Sequence, residues 1–170
     1  AAFGLRDAIT RYADALTSNQ NRYDVLASLS TGVTDAQWHR LSATANAQEC
    51  EFEMTTACWI YSEQNLRTAV LTVAEDTPSL RLYDPYAPEP QPLPEHGILL
   101  EEAIAEALHV KTGDTVYLRF SGDNQLHAIQ VAQIERSVSG VYISRSLWRS
   151  VGQPYTPSTA YFAAEDSDAL

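Results

Sequence analysis

The order of apolar and polar positions divides this chain into segments of two different periods. Residues 3–19 place Leu5, Ile9, Tyr12, Ala13 and Leu16 at helical spacing with Asp7, Arg11 and Asp14 elsewhere, which predicts an N-terminal amphipathic helix. Tyr23 to Leu29 alternates as a short strand and is ended by Ser30-Thr31-Gly32. Thr34-Asp35-Ala36-Gln37 forms a capping box in which Gln37 reaches back, and Val33 and Trp38 occupy the positions of a hydrophobic staple. A helix over residues 35–44 follows. From Glu49 the period becomes two: Cys50, Phe52, Met54, Thr56, Cys58 and Ile60 alternate with the residues between them, which predicts a long strand. Ser62-Glu63-Gln64-Asn65 supplies a turn, and Leu66 to Ala74 returns as a β-branched partner, so the two form a hairpin.

Residues 84–95 hold Pro85, Pro88, Pro90, Pro92 and Pro94, five of the eight prolines, and can be neither helix interior nor central strand. They predict an ordered surface crossing of polyproline character; the sharper alternative, a proline-rich recognition ligand, lacks a basic flank. Gly97-Ile98-Leu99-Leu100 is expected to enter a helix with Leu100, Ile104, Ala107 and Leu108 on one face, its glutamates 101, 102 and 106 set toward the positive end of the dipole. Thr115 to Phe120, the turn Ser121 to Asn124 and Leu126 to Ile134 make a second hairpin, and a further strand runs over residues 140–143. Ser144 caps a short helix with Leu147, Trp148 and Val151, stopped by Gly152, and Ser158 to Ala163 is a final strand. The expected class is α+β: mixed helices and β-hairpins around one core, with a small β-rich sub-lobe at about residues 114–143. The expected division is a helix at 1–20 and an α+β domain at 21–170.

Composition narrows the function. A chain of 170 residues can bury a sizeable core without staples, and 45% apolar with 19% charged residues excludes a disordered or fibrous chain. The net charge of -11 opposes phosphate backbones and anionic lipid headgroups, so no nucleic acid is expected as a partner. No apolar run reaches the ~18 residues of a membrane span, and no signal peptide is recognisable. If residues 49–61 form one strand, Cys50 and Cys58 lie about 26 Å apart, beyond disulfide reach. Two half-buried thiols are then expected in place of a disulfide.

Candidate chemistry is sparse. His39, His96, His109 and His127 lack metal-ligand spacing and read as solvent-edge residues; phosphate loops, dinucleotide fingerprints and nucleophile elbows are absent from the sequence. No catalytic residue, metal or cofactor is therefore expected. Glu51 and Glu53 share a strand face, but at that spacing they read as the solvated side of a half-buried strand and not as an acid/base pair. Trp38 and Trp148 fall in apolar helix stripes and predict core packing. What remains for contact with cargo or a partner is a platform of Trp59 and Tyr61, expected on opposite sides of the alternation, together with Tyr86 in the proline-rich crossing.

The run from Leu93 to Leu118, with His96-Gly97-Ile98-Leu99-Leu100, Ala107-Leu108-His109-Val110 and Lys111-Thr112-Gly113-Asp114-Thr115-Val116-Tyr117-Leu118, resembles a recurrent segment of the extracytoplasmic domains of FtsX-like and MacB-like ABC transporter permeases. In that segment a glycine, a short strand, a helix and a Lys-x-Gly-Asp-x-Val-x-Leu turn and strand follow in order. Gly4-Leu5-Arg6-Asp7-Ala8-Ile9 resembles the family's juxtamembrane helix, Tyr23-Asp24 the start of the first ectodomain strand, and Val141 to Trp148 its strand and capped helix. Residues 49–74 carry no matching motif. The resemblance implies an excised extracytoplasmic domain of a bacterial permease that is not itself an enzyme. It would work with the membrane helices of its own permease, a cytoplasmic ABC ATPase and an extracytoplasmic cargo or protein. A free secreted ligand-binding module is the alternative.

Overall fold

The computed structural model describes residues 20–28, 33–44 and 47–163. The helix expected over residues 3–19 and the tail beyond residue 163 lie outside them. In chain order the elements are β1 (Val25–Ser28), α1 (Asp35–Thr44), β2 (Glu49–Tyr61), β3 (Leu66–Ala74), β4 (Ile98–Glu101), α2 (Glu102–Leu108), β5 (Thr115–Phe120), β6 (His127–Glu135), β7 (Val141–Ser144), α3 (Arg145–Val151) and β8 (Thr159–Ala163).

The expected local signals hold in detail. Gln37 Oε1 accepts from the Thr34 amide and hydroxyl, both at 2.9 Å, closing the capping box of α1. Ser144 Oγ accepts from the Leu147 amide at 3.2 Å and Gly152 ends α3 in the left-handed region. The β2–β3 hairpin pairs Tyr61 with Leu66 through Met54 with Val73, the register a turn over residues 62–65 demands.

Six strands close on themselves in the order β2-β3-β7-β4-β6-β5, with β5 returning to β2, so the protein is strand-dominated within its α+β class. β3 pairs with β7 and β4 with β6 in parallel, and the remaining pairs of the barrel are antiparallel. Alternate residues fill the interior: Cys58, Ile60, Leu71, Val73, Ile98, Leu100, Val116, Leu118, Val131, Val141 and Ile143 are almost fully buried, with Leu108 of α2 and Trp148 of α3 in the same core. The expected sub-lobe at 114–143 is corrected here. Its strands β5, β6 and β7 are half of the barrel wall, because each has a long-range neighbour that the local pattern does not reveal. Residues 98–101, expected to open a helix, form β4 between β6 and β7 in the wall; Ile98, Leu99 and Leu100 are buried and Glu101 partly so, and a strand covered on both faces carries an apolar run and no alternation.

β2 is longer than the barrel needs. Its first five residues leave the barrel and pair with β8, which pairs with β1. α1 covers this small sheet through Val33, Trp38, Phe52, Ala160 and Phe162, and the Trp38 indole N–H donates to the Pro157 carbonyl at 2.9 Å. The chain passes into and out of the described body side by side, with Val25 opposite Phe162 and the Asp24 amide donating to the Phe162 carbonyl at 2.8 Å. Residues 75–97, including the proline-rich stretch, have no regular element. They lie as a strap over β4 and β7, packing Tyr83 and Leu93 against Leu99 and Tyr142.

Candidate functional site

Trp59 and Tyr61 are two residues apart on one strand, so they share the outer face of β2 and do not lie on opposite sides of it. Register supplies their neighbours. Tyr61 stands between Leu66 of β3 and Tyr117 of β5, Trp59 between Thr68 and Arg119, and Ala57 beside Val70. The Arg119 guanidinium lies 4.4 Å from the centre of the Trp59 ring, a cation on an aromatic face. Leu66, Val70 and Tyr117 are large apolar side chains with 44–57% exposure. With Thr115, these outward positions of three strands hold no carboxylate and one charge, Arg119, on a chain of net charge -11. The face is therefore an aromatic and aliphatic patch with one cation on an otherwise acidic body, the composition of a contact surface. Tyr117, Arg119, Leu66 and Val70 were not singled out from the sequence; only the odd-numbered register of 115–119 and the even-numbered register of 66–70 point to them. Tyr86 is 55% exposed but belongs to the strap over β4 and β7, which β3 on one side and β5 and β6 on the other separate from β2. The three expected contact residues therefore do not form one site.

The carboxylates in the first part of β2 are not solvated, contrary to expectation. Glu51 is 5% exposed, and its carboxylate accepts from the amides of Ser79, Leu80 and Arg81 at 2.7, 2.9 and 3.3 Å. Glu53 accepts from the Tyr161 hydroxyl at 3.2 Å, and burial raises its carboxyl above the usual range although Arg81 and Tyr161 act against the shift. The Arg81 guanidinium in turn donates to Asn21 Oδ1 at 3.1 Å, and the backbones of residues 20–22 and 80–82 bond to each other. These carboxylates staple the strap and the incoming chain to β2.

Cys50 and Cys58 are free, in the same strand, with burial pushing their thiols up to about 11 and about 12. Of the histidines, His39 and His109 are exposed, and His127 is instead part-buried, its Nε2 2.7 Å from Asp123 Oδ2 and its ring stacked on Phe120. Among the described residues no three His, Cys, Asp or Glu side chains gather as a metal site. A cleft of ≈ 480 Å³ opens where β2 passes from the barrel to the small sheet, bordered by Thr55, Phe120, Ser121, Trp148, Thr156 and Ser158.

No protein-family model matches the chain, and no curated protein matches it. Among solved structures it is similar to the extracellular domain of the noncanonic ABC-type transporter YknZ from Gram-positive bacteria, at 10% identity and a TM-score of 0.56, over 84% of this chain and 83% of that one. It is also similar to the periplasmic region of MacB from Actinobacillus actinomycetemcomitans, at 12% identity and a TM-score of 0.47, over 83% and 74% of the two chains. The YknZ likeness establishes the fold: this chain is built as an ABC-type permease extracellular domain is built, as the motifs over residues 93–118 implied. No described helix is long and apolar enough to cross a membrane.

Proposed function

We propose that this chain is the extracytoplasmic domain of a bacterial ABC-transporter permease, in which it catalyses no reaction. The observation that carries the reading is the shared fold, which extends over most of both chains. The side-by-side passage of the chain at Asp24 and Phe162 supports it, because a domain inserted between two adjacent membrane spans needs its two connections at one end. In this reading the helices of the same permease hold the domain at the membrane's outer face, and a cytoplasmic ATPase subunit drives it. The Trp59, Tyr61, Tyr117 and Arg119 face contacts cargo or an extracytoplasmic protein, and Tyr86 makes a separate contact on the strap. Motion of the membrane helices enters through residues 20–24, which are bonded both to β8 and to the strap held by Glu51.

The test is the parental gene, followed by the full-length protein. Apolar spans flanking this segment, an adjacent ATPase gene and protease accessibility from outside the cell are the expected results. A secretion signal with no flanking span would replace this reading with the free ligand-binding module.

A further inference from the structure

The geometry points to a second binding site, in the cleft where β2 changes partner, for a short uncharged peptide segment added as a strand on Thr55. One edge of β2 is paired with β3 from Met54 to Tyr61, but the opposite edge pairs with β8 only over residues 49–53 and with β5 only over 58–61. The last bonds on either side of the break are Ser158 N–H to the Glu53 carbonyl at 3.2 Å and Ser121 N–H to the Ala57 carbonyl at 3.0 Å. On the β3 side, Ser62 N–H donates to the Asn65 carbonyl, so even-numbered residues of β2 address β3 and odd-numbered ones the broken edge. The N–H and C=O of Thr55 therefore both point into the break. No hydrogen bond to either is found among the described residues. Thr156, the next chain past the end of β8, does not fill the gap, since its amide donates to the Met54 thioether at 3.3 Å.

The closed barrel offers no other interruption in the outer edge of β2, so this is where strand addition can occur. From Glu53 to Ala57 the edge runs about 13 Å at ~3.3 Å per residue, room for a segment of about three residues between the flanking bonds. The ≈ 480 Å³ of the cleft fits such a segment, and its lining sets the chemistry: Phe120, Trp148, Met54 and Pro154 supply apolar surface, serine and threonine hydroxyls and the Gln153 amide the rest, and no charged side chain borders it. On a body of net charge -11, a boundary free of charge selects neither a cationic nor an anionic occupant. The site goes beyond the permease reading, and its failure would leave that reading standing.

The experiment titrates the isotope-labelled 170-residue chain with acetyl-Val-Thr-Val-amide, a β-branched and uncharged probe, and with the same peptide N-methylated at its central residue. The expected result is a saturable shift and slowed hydrogen exchange at the Thr55 amide, with N-methylation weakening binding about tenfold. Thr55→Pro removes the donor facing the cleft without removing a bond of the β3 ladder, and Ser121→Trp fills the cleft with a side chain while keeping the Ser121 N–H that bonds the Ala57 carbonyl and the sequence of β2. Both are expected to abolish the shift, and Ser121→Trp carries the test should the proline variant misfold. The inference is overturned by an absent Thr55 response, by equal binding of the methylated peptide, or by shifts confined to the Trp59 face. A Thr55 response to protein concentration alone, accompanied by dimer mass, would make a second copy the occupant and also overturn it.

Discussion

Gly140→Ala probes a place where two strands of the barrel are drawn close together. Gly140 precedes β7 at a φ of 78°, a conformation that costs an alanine about 1–2 kcal/mol. A methyl group there would also sit 2.4 Å from the Val70 carbonyl oxygen on β3, a backbone atom that cannot swing aside. Relief requires β3 and β7 to part next to the Leu71–Val141 pair, or the residue to withdraw from Glu101, whose carboxylate and amide both bond to it at 2.7 and 2.9 Å. Overpacking of this kind costs about 1–3 kcal/mol, so the sum is about 2–5 kcal/mol, a large part of a typical domain's stability. Gly113→Ala separates the two contributions. Its φ of 95° imposes the same kind of backbone cost, but nothing lies within 4 Å of the added methyl, and about 1–2 kcal/mol is expected. Urea unfolding followed by tryptophan fluorescence gives both values, with unchanged m-values required for the comparison. Equal losses in the two variants would show that β3 and β7 are not in close approach at Val70, and would remove the argument for a closed wall there.

Three further outcomes are expected. Trp38→Ala and Trp148→Ala should each cost about 3–5 kcal/mol, since both indoles are at most 3% exposed and each N–H donates to a proline carbonyl; melting with the parent would refute their core placement. The Glu53 carboxyl is raised by burial, so the folded state holds its proton more tightly and stability falls as pH rises from the unfolded carboxylate range through the raised folded value. Glu53→Gln should therefore flatten the decline in unfolding free energy as pH rises above the ordinary carboxylate range, and an unchanged slope would show the group to be solvated. Cys50 and Cys58, with thiols at about 11 and about 12, should react slowly with a thiol reagent at pH 8 in the folded chain and both promptly on unfolding, whereas no reactive thiol in urea would reveal a disulfide.

What the sequence determined by itself is what depends on neighbours a few residues away. The capping box at Thr34 and Gln37, the serine cap and glycine stop around residues 144 and 152, the hairpin over residues 49–74 and the irregular proline crossing each follow from bonds or steric limits within one turn or one period. The motifs over residues 93–118 carried the fold family in the same local way. Tertiary structure decided everything that needed a distant partner. Ile98–Glu101 became a strand because β6 and β7 pair with it, and the second hairpin became barrel wall because β5 meets β2. Glu51, polar and on the expected solvent face, was buried because three amides from residues 79–81 replace its water. Trp59 and Tyr61 gained Tyr117 and Arg119 as companions and lost Tyr86 by the same mechanism. Alternation tells which side of a strand a residue occupies, but only hydrogen bonding between segments far apart in the chain decides what that side faces.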